Sequence, residues 1–228
     1  MKLRNAQLDP VELESKENCL LGQWAKQVPG FIYDGLPNAE QYVLSNIRIL
    51  FILKEVNGGQ AWDLREFLRN GARSQTWNVV ARWVEGILNL EKEFKWNELE
   101  SDNEERRNRI LEKICAINVK KTSGTDVADN KIIKAAVQEN KENLRRQIEI
   151  YQPDIIICCG TETPYVQIMN NAPNWKMTSR GIWYFVETNG TIVISYSHPE
   201  ARTKECLLHY GLLDAIKEIL HTRDINDP

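Results

Sequence analysis

No stretch of this 228-residue chain stays apolar for the about 18 residues a membrane-spanning helix needs. The first residues, Met1-Lys2-Leu3-Arg4-Asn5-Ala6-Gln7, lack the apolar core of a secretory signal, so a cytoplasmic location is expected. Cysteine is sparse, with five residues at 19, 115, 158, 159 and 206 and no C-x-x-C pair. Three of them fall inside apolar runs and read as reduced core thiols, which excludes a disulfide framework and leaves no expected metal site. No charge of one sign dominates either: 29 Lys and Arg stand against 32 Asp and Glu, for a net charge of −3. That balance does not advertise a polyanion partner, although a mean can hide a patch. Between positions 116 and 146 seven basic residues accompany four acidic ones, which fits a solvated helix face as well as a basic patch. The Asn57-Gly58-Gly59 stretch lacks the spacing of a P-loop or a dinucleotide fingerprint. Internal repeats are absent too.

What is present is a regular alternation. Four short, β-branched apolar runs cover Ile47–Leu53, Ile114–Val119, Asp154–Cys159 and Thr191–Tyr196. Each is continuous rather than alternating, the pattern of a strand covered on both faces. Helical patterns lie at Trp62–Leu68, Thr76–Leu90, Lys131–Tyr151 and Glu205–Leu220. The expected fold class is therefore α/β: a three-layer sandwich with a central, mainly parallel sheet of about four strands and flanking helices. Asn189-Gly190 between Ile182–Glu187 and Thr191–Tyr196 predicts a hairpin that adds an antiparallel strand. The charge-dense stretch Lys92–Glu112 reads as an exposed helical excursion, and Asp224–Pro228 as a frayed tail.

In open parallel sheets, ligands bind beyond the carboxyl ends of the strands. The residues there are Lys54, Glu55, Asn57, Gly58 and Gly59 after the first run, and Asn118, Lys120 and Lys121 at the second. Gly160 and Thr161 follow the third run; Ser197, His198, Pro199 and Glu200 follow the fourth. Singly, each has an ordinary structural explanation: glycines that turn the chain, an asparagine that bonds a neighbour, a histidine that caps a loop. Together they place polar groups from four segments on one rim.

The order of these features resembles the uracil-DNA glycosylase superfamily. There the first strand runs into a short loop such as GQDPY, GINPG or GEAPG, matched here by Lys54-Glu55-Val56-Asn57-Gly58. A second strand carries an asparagine that reads the extruded base, the place of Asn118 in "AINVKK". A late strand ends in His-Pro before a DNA-inserting loop, the place of His198 and Pro199 in "SYSHPEAR". "ENLRRQIEIYQPDIIICCG" is similar to the helix-strand segment between the last two motifs. The likeness implies one domain over residues 1–228, with a core from about 19 to 220. Some positions depart from the pattern. Val56 stands where several branches have aspartate or asparagine, Asn57 replaces a proline, and Glu200 replaces the usual serine. One iron-sulfur branch has alanine at the Val56 position, but its cluster cysteines are absent here, so no cofactor is implied.

The resemblance implies a DNA glycosylase that cleaves the N-glycosidic bond of uracil or a modified pyrimidine flipped out of DNA, leaving an abasic site. Such cleavage develops positive charge on the sugar and negative charge on the base. His198 would bond the developing oxyanion, and Glu55 would stabilise the sugar cation or orient water, with Asn57 as the alternative water-positioning group. The Asn118 amide has both a donor and an acceptor with which to read a base edge. Trp62 and Phe67 are candidate stacking partners, or plain core. Backbone amides at Gly58 and Gly59 and the side chains of Lys120, Lys121 and Arg202 would meet phosphates. The expected partner is thus DNA and not a membrane, with a monomer favoured. Two other readings stand beside this one: a catalytically degenerate nucleic-acid-binding module, because of Val56, and a nucleosidase-like hydrolase of small molecules, because of the acidic charge.

Overall fold

A computed structural model describes residues 8–59, 62–125 and 128–226; the Met1–Gln7 segment discussed above lies outside them. Its centre is a six-stranded sheet in the order β2-β1-β3-β6-β5-β4. The strands are β1 (Ile49–Leu53), β2 (Ile114–Asn118), β3 (Ile155–Cys159), β4 (Lys176–Met177), β5 (Trp183–Val186) and β6 (Ile192–Tyr196). The first four in spatial order are parallel, and β5 and β4 add on in antiparallel fashion. The four apolar runs thus form the parallel core. The hairpin at Asn189-Gly190 supplies β5, and β4 is an additional edge strand that the hydropathy pattern does not announce.

Helices cover both faces. Pleating divides each strand between them, so Ile49, Phe51, Leu53, Ile114, Ala116, Ile157 and Cys159 point to one layer. That layer contains α3 (Leu64–Arg69), α4 (Ser74–Leu88), α6 (Asn103–Ile110) and α9 (Glu205–Asn226). Leu50, Ile52, Cys115, Ile117, Ile156 and Cys158 point to the other. There lie α1 (Pro10–Ala25), α2 (Ala39–Leu44), α7 (Asn130–Tyr151) and α8 (Glu162–Met169). Helix α1 starts where Asp9 accepts the Val11 and Glu12 amides and Pro10 supplies a pre-set φ. At the amino ends of β1 and β3, buried Arg48 and Asp154 pair through two side-chain bonds of 3.2 Å, pinning the end of the sheet opposite the candidate site.

Two expectations change. The stretch Lys92–Glu112 is not an exposed excursion: it forms α5 (Trp96–Glu100) and α6, and Leu99, Arg106, Ile110 and Leu111 are buried. Arg106 donates to the carbonyls of Glu98, Leu99 and Ser101 and to Glu85, so a charged sequence is folded inward through its guanidinium. The expected tail is also shorter, because α9 continues to Asn226; residues 227–228 lie outside the described residues.

Candidate functional site

Chain connectivity selects where the site forms. From β1 the chain moves to β2 on one side, then crosses through α7 to β3 on the other, so the order reverses between β1 and β3. Helices diverge at such a switch point and leave a crevice beyond the strand ends. Here it is a cavity of about 760 Å³, within the range of small-molecule sites. Leu53, Asn118 and Cys159 form strand-end parts of its wall, and α3 and α4 contribute Phe67, Thr76 and Trp77.

Asn118 is the least ordinary of these residues. It follows Ile114 and Ala116 on the same face of β2, where an apolar side chain would be expected. Only 2 % of it is exposed, yet neither its side-chain nitrogen nor its oxygen has a hydrogen-bond partner among the described residues. Leaving such groups unpaired costs about 1–3 kcal/mol. Neither pole of the amide is committed to a protein partner, and the residue borders the cavity.

His198 lies on another part of the wall, in the loop after β6. Its Nδ1 accepts the Glu200 N–H at 3.1 Å, so the neutral ring carries its proton on Nε2. Partial burial pushes its pKa below the ordinary 6.5; Glu200 opposes that shift and Lys54 adds to it. The loop is held from outside by a hydrogen bond from the Thr76 hydroxyl to Glu200. At neutral pH the histidine is an uncharged donor.

Glu55, Asn57, Gly58 and Gly59 also line the cavity. The Glu55 carboxylate accepts from Lys120 Nζ at 2.6 Å, and Lys120 donates further to the carbonyls of Thr122 and Ser123. A Cβ at Gly124 would overlap that carboxylate, which explains the glycine there. Trp62 and Phe67 meet edge to face with centroids 5.3 Å apart, and the indole donates to the Gly58 carbonyl at 3.3 Å. Gly58 and Gly59 have φ of +76° and +84°, a region that favours glycine. Among the described residues no group of three His, Cys, Asp or Glu could hold a metal ion.

Eight of the eleven residues picked out from the sequence therefore meet in one cavity: Glu55, Asn57, Gly58, Gly59, Trp62, Phe67, Asn118 and His198. Lys120, Lys121 and Arg202 are not part of its wall. Lys120 is occupied by Glu55 and two carbonyls. Lys121 is only 3 % exposed and donates to Asp34 and Gln147 in the interior, so it does not present a charge to solvent. Arg202 is exposed, outside the cavity. The basic excess between 116 and 146 is otherwise a solvated face of α7, where Arg145 and Arg146 lie 2.6 and 3.7 Å from Glu142. The cations at the cavity are Lys54 and Arg73 instead. Arg73 precedes α4 and gives no sequence signal, because its proximity to the strand ends arises from the packing of α4.

The chain matches no protein-family model and no curated protein.

Proposed function

We propose that the chain is a DNA glycosylase of the uracil-DNA glycosylase type, acting on uracil or a modified pyrimidine flipped out of DNA. The observation that carries this reading is the buried Asn118 amide with both poles unpaired, in a cavity shared with an uncharged His198. A pyrimidine edge offers the complementary donor and acceptor, and would relieve the unpaired state. His198 Nε2–H is the donor for the oxygen that gains negative charge as the glycosidic bond breaks. Water adds to the sugar carbon, and the base leaves with the bonding electron pair and takes up a proton. Glu55 is a carboxylate in fixed position, which favours stabilising the sugar cation; Asn57 is then the group that places water. Trp62 and Phe67 supply the aromatic surface. The cavity volume exceeds the needs of a bare pyrimidine ring, which supports a modified base as well as uracil. With Lys120 and Lys121 engaged internally, Lys54, Arg73 and Arg202 are the side chains proposed for phosphates.

The test is release of free base from oligonucleotides and genomic DNAs containing uracil, hypoxanthine, xanthine, thymine mismatches and modified cytosines. His198→Ala should lower release by about 10²–10³-fold, the effect of losing one oxyanion donor. In the wild type, acid should inhibit as pH falls through a value below 6.5, since a second ring proton would sit against the Glu200 N–H. No release from any DNA would sink the proposal. A nucleosidase-like hydrolase is the second reading, favoured by the internal engagement of two lysines; base release from free nucleosides without salt-sensitive DNA binding would select it.

A further inference from the structure

Strand β2 is the outer strand of the parallel half, so alternate main-chain amides on its far side have no neighbouring strand. The segment around Tyr33–Leu36 runs along that edge. Gly35 and Ala116 exchange both main-chain bonds, at 2.9 and 3.0 Å. One step further along β2 the next outward amide is that of Asn118. No main-chain carbonyl meets it; the side chain of Asp34 does, with Oδ2 accepting the Asn118 N–H at 2.8 Å. A carboxylate thus completes an edge ladder at the residue whose side chain lies in the cavity.

Asp34 is itself fixed on all sides. It is fully buried, and Lys121 Nζ donates to its Oδ1 and Oδ2 at 2.6 and 2.8 Å. Gln147 donates to Oδ1 at 2.9 Å and accepts the third Lys121 bond at 2.7 Å. The Gln147 amide also donates to the Tyr151 hydroxyl, which donates to Glu17, and Glu17 pairs with Arg65 at 2.9 Å. A buried ion pair of this kind is a poor source of stability, since apolar residues of similar volume often do as well. A geometric role accounts for what stability alone does not.

We propose that Asp34 is a positioning residue for base recognition: it fixes the Asn118 main chain at the end of β2, and Lys121 and Gln147 fix Asp34. This rests on the reading of Asn118 as the base-reading residue. The side chain of Asn118 has no protein bond to orient it, so its alignment depends on where its backbone is held.

Two double variants isolate the acceptor from the charge. Asp34→Asn/Lys121→Met removes both charges and keeps an amide oxygen for the Asn118 N–H. Asp34→Leu/Lys121→Met removes the acceptor as well. The readouts are the kcat/KM ratio between the best-excised base and a pyrimidine with the opposite edge pattern, and hydrogen exchange at the Asn118 amide. The asparagine double should keep the selectivity and the amide protection of the wild type. The leucine double should lose about tenfold or more in selectivity, as expected from misplacement of a reading group, and lose protection at Asn118. Equal selectivity and protection in the two doubles would overturn the inference. Should the leucine double not fold, rapid exchange at Asn118 in the wild type would overturn it, and slow exchange kept by the asparagine double would support it. A wild type that releases no base defeats the glycosylase reading and, with it, the selectivity claim; the exchange data then decide whether Asp34 holds the Asn118 backbone.

Discussion

Among the described residues, the buried side chains of Asn118 and His209 each have two polar atoms without a partner, and they differ in what surrounds them. Asn118 borders the candidate-site cavity; His209, on α9, is not part of that lining. His209 is 1 % exposed, both ring nitrogens lack partners among the described residues, and Trp96 and Tyr210 pack about its ring. Burial pushes its pKa down to about 4, Arg82 and Arg106 push the same way, and Glu85 opposes them. An unfolded chain would protonate this ring near 6.5, whereas the folded chain resists until about 4. Stability from this residue is therefore complete above pH 6.5 and is lost as pH falls toward 4, by about 3 kcal/mol. Urea unfolding between about pH 7 and pH 4 should show that loss in the wild type and a flatter profile in His209→Leu. An unchanged acid slope in the variant would assign the effect to other groups.

At the scale of elements, the short helix α5 depends on a neighbour. Its last carbonyls and those just beyond it, Glu98, Leu99 and Ser101, are satisfied by the guanidinium of Arg106 from α6, which also bonds Glu85 on α4 at 2.6 Å. Five residues make no stable helix alone, so α5 persists because its orphan acceptors are met and Leu99 is buried. Arg106→Ala strands those carbonyls and removes one of the two arginines on Glu85. It should destabilise the protein by about 3 kcal/mol, measured by urea unfolding, with amide protection lost first in α5. The His198 loop is held in a related way, since Thr76 on α4 bonds Glu200 and Arg82 on the same helix pairs with Glu205 at the start of α9. Helix α4 thus braces the loop that holds the histidine.

For the whole molecule the net charge is −3, and with Lys120 and Lys121 engaged internally the cations that line the cavity are Lys54 and Arg73. Arg73 lines both the deep cavity and a shallower groove beside it, and the two share Asn57 and Glu200. Under the glycosylase reading it is the arginine placed to contact a phosphate next to the flipped nucleotide. Arg73→Gln should then reduce the slope of log affinity against log salt by about 0.7 on single strands, while Arg146→Gln on α7 leaves it unchanged. Fluorescence anisotropy over a salt series reads both. No helix among the described residues is long and apolar enough to cross a membrane.

Several features were already legible in the chain. The continuous runs Ile47–Leu53, Ile114–Val119, Asp154–Cys159 and Thr191–Tyr196 pointed to parallel strands, because a strand buried on both faces must be apolar throughout. Since polar residues cannot continue such a run, the abrupt arrivals of Glu55, Asn118 and His198 marked the rim on which they meet. Spacing alone could not say where a long side chain would end. Lys120 and Lys121 are adjacent and chemically alike, yet one clamps Glu55 and the other enters the interior, at a bend just after β2 where packing and not strand alternation sets their partners. That Asp34, 84 residues before Asn118, would complete the β2 edge was equally invisible. So were Arg73 and Thr76, which reach the site through the packing of α4. Hydropathy is local and reports which segments are buried; partners for charges and for edge amides are chosen by long-range contacts, which exist only once the layers have packed.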